Sequence, residues 1–125
     1  MRRVTAPVPP PFEVEHARFR GATGVAVRGE IDIACAPALS DALDVAILDS
    51  IGAFVIDLCD VEFLDSSGLG ALLRARAMLG REDRALAVVC PQGPVRRLFD
   101  VTGISDVLFL YISREEAAAA LIPAD

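Results

Sequence analysis

Two short runs, Phe54-Val55-Ile56-Asp57-Leu58 and Ala85 to Cys90, are almost continuously apolar. A strand with one wet face alternates between apolar and polar residues, so a short run without alternation reads as a strand buried on both faces. Between the two runs, Leu69, Leu72, Leu73 and Met78 recur at helical spacing, with Arg74, Arg76 and Arg81 mostly on the opposite side. Strand, helix and strand in that order form a parallel pair joined by a right-handed crossover. The chain is thereby committed to an α/β fold.

The flanking segments extend the pattern. From Phe12 to Phe19 charged and apolar residues alternate loosely, and Gly21-Ala22-Thr23-Gly24 is turn material before Val25-Ala26-Val27-Arg28. This predicts an antiparallel pair at the start of the fold, with Gly29-Glu30-Ile31-Asp32 ending its second strand. Pro37 suits the first turn of a helix whose apolar stripe is Leu39, Leu43, Ile47 and Ile51, closed by Gly52. Gly80 to Arg84 is a polar stop. Pro94 to Val101 reads as a short helix with Val95, Leu98 and Phe99 inward and Gly103 as its C-cap. Val107 to Ile112 reads as a last strand. Ser113 is placed to cap a final helix that carries Glu115 and Glu116 in its first turn and an alanine run behind them. The expectation is a mixed, mostly parallel sheet of about five strands with about four helices.

A chain of 125 residues is the size of one domain. Met1 to Pro11 is proline-rich and expected to be an extended, flexible tail, with the domain over residues 12–125. The formal net charge is -6 and all twelve basic residues are arginines, with no basic cluster. Such a surface is a poor nucleic-acid binder, and a protein partner is expected instead. Cys35, Cys59 and Cys90 are odd in number and form no CxxC pair, and the one histidine, His16, stands far from them in sequence. They read as reduced thiols of a cytoplasmic protein, with no metal site and no cofactor. Arg2 and Arg3 run directly into Pro7, Pro9, Pro10 and Pro11 without an apolar core, unlike a secretory signal. No apolar run reaches the roughly 20 residues of a membrane helix. Without a long exposed apolar stripe, a monomer is expected.

The segment Asp65-Ser66-Ser67-Gly68-Leu69-Gly70 joins the first buried run to the helix. Asp65 or Ser66 is the natural N-cap, and capping alone would account for an oxygen-bearing residue there. Gly68 and Gly70 are poor helix formers in the turn where stability favours other residues, which makes sense if something must approach closely. The loop also lies at the C-terminal end of a central parallel strand, where sites collect in α/β sheets. Nucleophilic catalysis is disfavoured. No glycine stands two residues before either serine, so the G-x-S-x-G elbow is absent, and the chain has no lysine. His16 would be the only imidazole base, and it falls in the first strand.

"VIDLCDVEFLDSSGLGALL" (residues 55–73) resembles the signature of the STAS domain family, specifically the bacterial anti-sigma factor antagonists. "GEID" at residues 29–32 and "VRRLFDVTGISDVL" at residues 95–108 resemble two further segments of that family, in the right order. The resemblance covers nearly everything after Pro11. It implies a mixed sheet with helices packed largely on one side. It also implies a non-enzymatic protein whose partners are an anti-sigma factor with serine kinase activity and a serine phosphatase. Ser66 is then the phosphoacceptor, and Asp65, Ser67, Gly68 and Leu69 complete the motif. Glu30 and Asp32 become a second partner contact, or remain a solvated turn. Within the same family, a scaffolding or transport-associated protein working through assembly or ligand binding is the alternative.

Overall fold

The computed structural model describes residues 12–121. The proline-rich tail expected over residues 1–11 lies outside the described residues. The elements are β1 (Phe12–Phe19), β2 (Ala22–Ile31), α1 (Ala36–Leu48), β3 (Phe54–Leu64), α2 (Ser66–Arg81), β4 (Leu86–Val89), α3 (Pro94–Thr102), β5 (Leu110–Tyr111) and α4 (Arg114–Leu121), with a 3-10 turn at Ile104–Asp106. The five strands stand in the sheet in chain order. β1 and β2 pair antiparallel, and β2, β3, β4 and β5 pair in parallel. This is the mixed, mostly parallel sheet that the sequence predicts.

The hairpin turn is tighter than expected. Arg20 and Gly21 take φ of 54° and 90°, giving a two-residue connection whose twist suits the flanking strands. Ala22, Thr23 and Gly24, read above as turn, belong to β2. Gly24 is needed there for contact: a Cβ would stand 1.9 Å from the carbonyl oxygen of Val55 on β3.

Alternate residues of the central strands feed two cores. Phe54, Ile56, Leu58 and Val88 join α1, α2 and α3 in the larger one. Val55, Ala87 and Val89 face the other way, against Phe19 and Ala117 of α4. Three helices therefore share one side, while α4 covers part of the other. Covering both faces removes the need for polar positions, hence the unbroken apolar runs.

Asp57 is the exception within those runs and is only 3% exposed. Its carboxylate accepts a hydrogen bond from the Cys59 amide at 2.8 Å and pairs with Arg114, the first residue of α4. The Arg114 guanidinium lies 5.0 Å from the centre of the Phe19 ring. A buried carboxylate without its partner is strongly unfavourable. We expect Arg114→Ala to destabilise the fold by about 2 kcal/mol, less than the roughly 3–5 kcal/mol of a fully buried pair because Arg114 is half exposed. Chemical denaturation checks this, and a loss below about 0.5 kcal/mol would mean water replaces the arginine freely.

Several element ends differ from the sequence reading. α1 stops at Leu48, so Ile51 lies outside its stripe and is 90% exposed, and Gly52 does not close the helix. Beyond that end, Arg84 donates to the carbonyl oxygens of Ile47 at 2.9 Å and Gly52 at 2.8 Å. It supplies donors to carbonyls that a helix end leaves open. In α2, Leu79 is fully buried, whereas Met78 is only half-buried. The last strand shrinks to Leu110–Tyr111 because the amides of Val107 and Leu108 donate to Ile104 O, both at 2.9 Å, closing a 3-10 turn. No helix among the described residues is long and apolar enough to cross a membrane.

Candidate functional site

The parallel strands β2 and β3 end side by side, with Ile31 opposite Leu64. Their pairing slips twice before that point, between Ala26 and Arg28 and again between Gly29 and Glu30. Bulges re-aim side chains at sheet ends. At the second slip the extra residue, Glu62, is on β3, and the facing Gly29 has φ of 100°, a conformation that other residues rarely adopt. β3 nevertheless runs over 11 residues, so Cys59 to Phe63, beyond the apolar run Phe54–Leu58, continue the strand.

At the junction, the Asp65 amide donates to Ile31 O at 3.2 Å, tying the start of α2 to the end of β2. Asp32 and Ser66 follow on either side of this bond. Asp65 is the N-cap: its Oδ1 accepts from the amides of Ser67 at 2.9 Å and Gly68 at 3.2 Å. The choice between Asp65 and Ser66 is thus resolved. A carboxylate accepting two amides at a helix start leaves the serine beside it without a capping role. Ser66 is exposed, and among the described residues nothing holds a hydrogen bond with its Oγ. Ser67 is half-buried, and its amide, not its hydroxyl, joins the cap. We expect Asp65→Ala to lower stability by about 1–2 kcal/mol and Ser67→Ala by less, measured by thermal melting followed by circular dichroism. Equal losses for both would contradict this assignment of the cap.

Gly68 and Leu69 face inward. A Cβ on Gly68 would stand 2.3 Å from Leu64 Cδ1 and 3.0 Å from Ile31 Cγ2, and Leu69 is 6% exposed in the larger core. The reading that Gly68 leaves room for an outside molecule is corrected: the chain's own strand ends fill that space. These two residues shape the helix start from beneath.

Asp32 builds the turn into α1, its Oδ1 accepting from Ala34 N at 3.0 Å and Cys35 N at 3.3 Å. Glu30 is exposed and pairs in register with Phe63. Exposed Glu62, next to Phe63, adds a third carboxylate to these strand ends. Sequence reasoning missed two apolar members of this surface, Ile33 at 75% exposure and Phe63 at 47%. Ile33 belongs to no apolar stripe, between strand end and helix, which is the signal that could have found it. Phe63 gave none, because the bulges decide which way it points.

Among the described residues no imidazole stands beside Ser66. His16 pairs with Val25, six residues before Ile31 on β2 and therefore about 20 Å away along the strand. Burial, aided by the Asp57 carboxylate, pushes the Cys59 thiol up to about 12, and burial pushes Cys90 up to about 11 and raises Cys35. All three stay protonated at neutral pH, whereas a nucleophile or metal ligand is a thiolate. Among the described residues, no group of three or more His, Cys, Asp or Glu side chains could hold a metal ion.

Comparison with known proteins gives a consistent picture. The family model for the STAS domain matches residues 14–117. The anti-sigma-B factor antagonist of Listeria monocytogenes is 35% identical over 82 residues, which are 66% of this chain and 72% of that protein. The crystal structure of an anti-sigma factor antagonist from Mycobacterium paratuberculosis aligns with a TM-score of 0.83 and 36% identity, covering 91% of this chain and 97% of that one. The Bacillus cell fate determinant SpoIIAA in its phosphorylated form shares the fold, with a TM-score of 0.61 and 21% identity over 89% of this chain and 99% of that one.

Proposed function

This chain belongs to the STAS domain family, and on that premise we propose that it is an anti-sigma factor antagonist switched by phosphorylation of Ser66. Unmodified, it binds an anti-sigma factor that is also a serine kinase, in the cytoplasm, and so frees a sigma factor. The observation that carries this reading is Ser66 itself, an exposed hydroxyl at the first position of α2 whose capping duty Asp65 has taken over.

In the transfer, Ser66 Oγ attacks the γ-phosphorus of ATP held by the partner. The Oγ–P bond forms, the bond from phosphorus to the β,γ-bridging oxygen breaks, and ADP leaves. The hydroxyl proton passes to a base of the partner, since this chain brings no imidazole near. A serine phosphatase reverses the state: water attacks phosphorus, inorganic phosphate departs and the hydroxyl returns. Glu30, Asp32 and Ser67, with exposed Ile33 and Phe63, form the contact surface around the acceptor, while Asp65, Gly68 and Leu69 hold the helix start in position.

The phosphate brings about -1.5 to -2 charges to a helix N-terminus, where free amides and the dipole favour an anion. The fold should tolerate it, in keeping with the shared fold of phosphorylated SpoIIAA. The test is intact-mass and peptide-mapping mass spectrometry of the protein from its own cells, with and without phosphatase treatment. A phosphatase-sensitive phosphate on Ser66 is expected. A phosphate only on Ser67, or none in any growth state, would overturn the switch and favour a scaffolding protein of the same family.

A further inference from the structure

Gly70 is the residue of the helix start that the fold does not explain. It lies inside α2, its φ is not positive, and it is exposed. Nothing stands within 4 Å of the point a Cβ would occupy. Gly68, two residues earlier, is required by Leu64 and Ile31; Gly70 answers to no such neighbour. Helix propensity favours almost any other residue at an exposed interior position. Gly70 follows Ser66 by four residues, so it sits on the same face of the helix, directly beside the acceptor and about 6 Å along the axis.

From this we infer that Gly70 is a specificity-determining residue of the Ser66 switch. Its missing side chain leaves clearance for the partner's backbone to lie against α2 while the partner's ATP reaches Ser66 Oγ. The inference rests on the function proposed above and adds to it the geometry of the encounter. Shape carries the effect: a methyl group has no charge and cannot block the transfer chemistry itself, but it fills a gap that backbone atoms need, as overpacking does in a core.

α2 contains its own control. Gly80 is also exposed, also has nothing within 4 Å of its Cβ position, and stands fourteen residues from Ser66, at the other end of the helix. The experiment compares wild type, Gly70→Ala and Gly80→Ala for thermal midpoint and for phosphorylation at Ser66. The kinases are the anti-sigma factors of the source organism, each purified and supplied with labelled ATP. Gly70→Ala is expected to melt up to about 4 °C higher, as removal of a helix glycine should. It is also expected to bind and accept phosphate about tenfold more weakly, or worse. Gly80→Ala should gain stability without losing phosphorylation. Phosphorylation of Gly70→Ala at the wild-type rate would overturn the inference and leave the switch standing, as would a lowered midpoint, which would make Gly70 structural. If no kinase phosphorylates wild-type Ser66, the proposed function fails and the inference falls with it.

Discussion

Ser66→Ala is expected to abolish phosphate incorporation while leaving partner binding intact, and phosphorylated wild type to bind its partner at least about a hundredfold more weakly than the unmodified protein. The magnitude follows from the surroundings. The dianion would stand beside Asp65 and the exposed carboxylates of Glu30, Asp32 and Glu62. A surface shaped to cover a neutral hydroxyl must then desolvate or face that charge, and like-charge juxtaposition at an interface costs several kcal/mol. About 2.7 kcal/mol already gives the hundredfold change. No conformational change is needed, because Asp65 holds the helix start independently of the serine. Ser66→Glu should show the same direction with a smaller amplitude, since one charge replaces nearly two. Titration calorimetry of the three forms against the purified anti-sigma factor decides the matter. Equal affinity of phosphorylated and unmodified protein would sink the electrostatic mechanism, even if Ser66 were modified in cells.

The largest loss of stability is expected from Gly24→Ala. Most substitutions that add a methyl group to a core displace the end of a side chain, which can give by a few tenths of an ångström. Here the obstacle is backbone, the Val55 carbonyl at 1.9 Å from the new Cβ, with Val55 C and N both at 2.8 Å. β2 and β3 would have to separate at the Gly24–Val55 pair, on the strands that carry both halves of the site. Overpacking typically costs about 1–3 kcal/mol, and an obstacle of backbone should bring the cost to about 3 kcal/mol or more. For a domain of this size the thermal midpoint should fall by roughly 10–20 °C. A variant melting within about 2 °C of wild type would show that the two strands part easily. Because Gly24 stands far from Ser66, the folded fraction of the variant should still accept phosphate, which separates the two predictions.

The contrast between the glycines shows what local sequence conveys. Gly24, Gly68 and Gly70 look alike in a sequence, each an interruption of a pattern. The first lies against a neighbouring strand, the second against Leu64 and Ile31, and the third against nothing. That difference depends on what lies across space, which no window of residues contains. Phe63 and Ile51 make the same point. Ile51, read as part of the α1 stripe, is exposed because α1 stops at Leu48, and Phe63, beyond the two register slips of β3, is exposed although it is apolar.

The sequence by itself determined the order and type of elements, the parallel sheet and the position of the serine at a helix start. These rest on short-range periodicity: runs without alternation for β3 and β4, helical spacing for α1, α2 and α3, and an oxygen-bearing cap, Asp65 or Ser66, before the second helix. Motif order also pointed to the family. The tertiary structure decided that Asp65 and not Ser66 caps α2, that Asp57 is matched by Arg114 fifty-seven residues away, and that Gly68 is occupied from within while Gly70 is open. The Asp57–Arg114 pair and the contact of Gly68 with Ile31 join segments distant in the chain, and even the local cap depends on backbone geometry, of which periodicity carries no record.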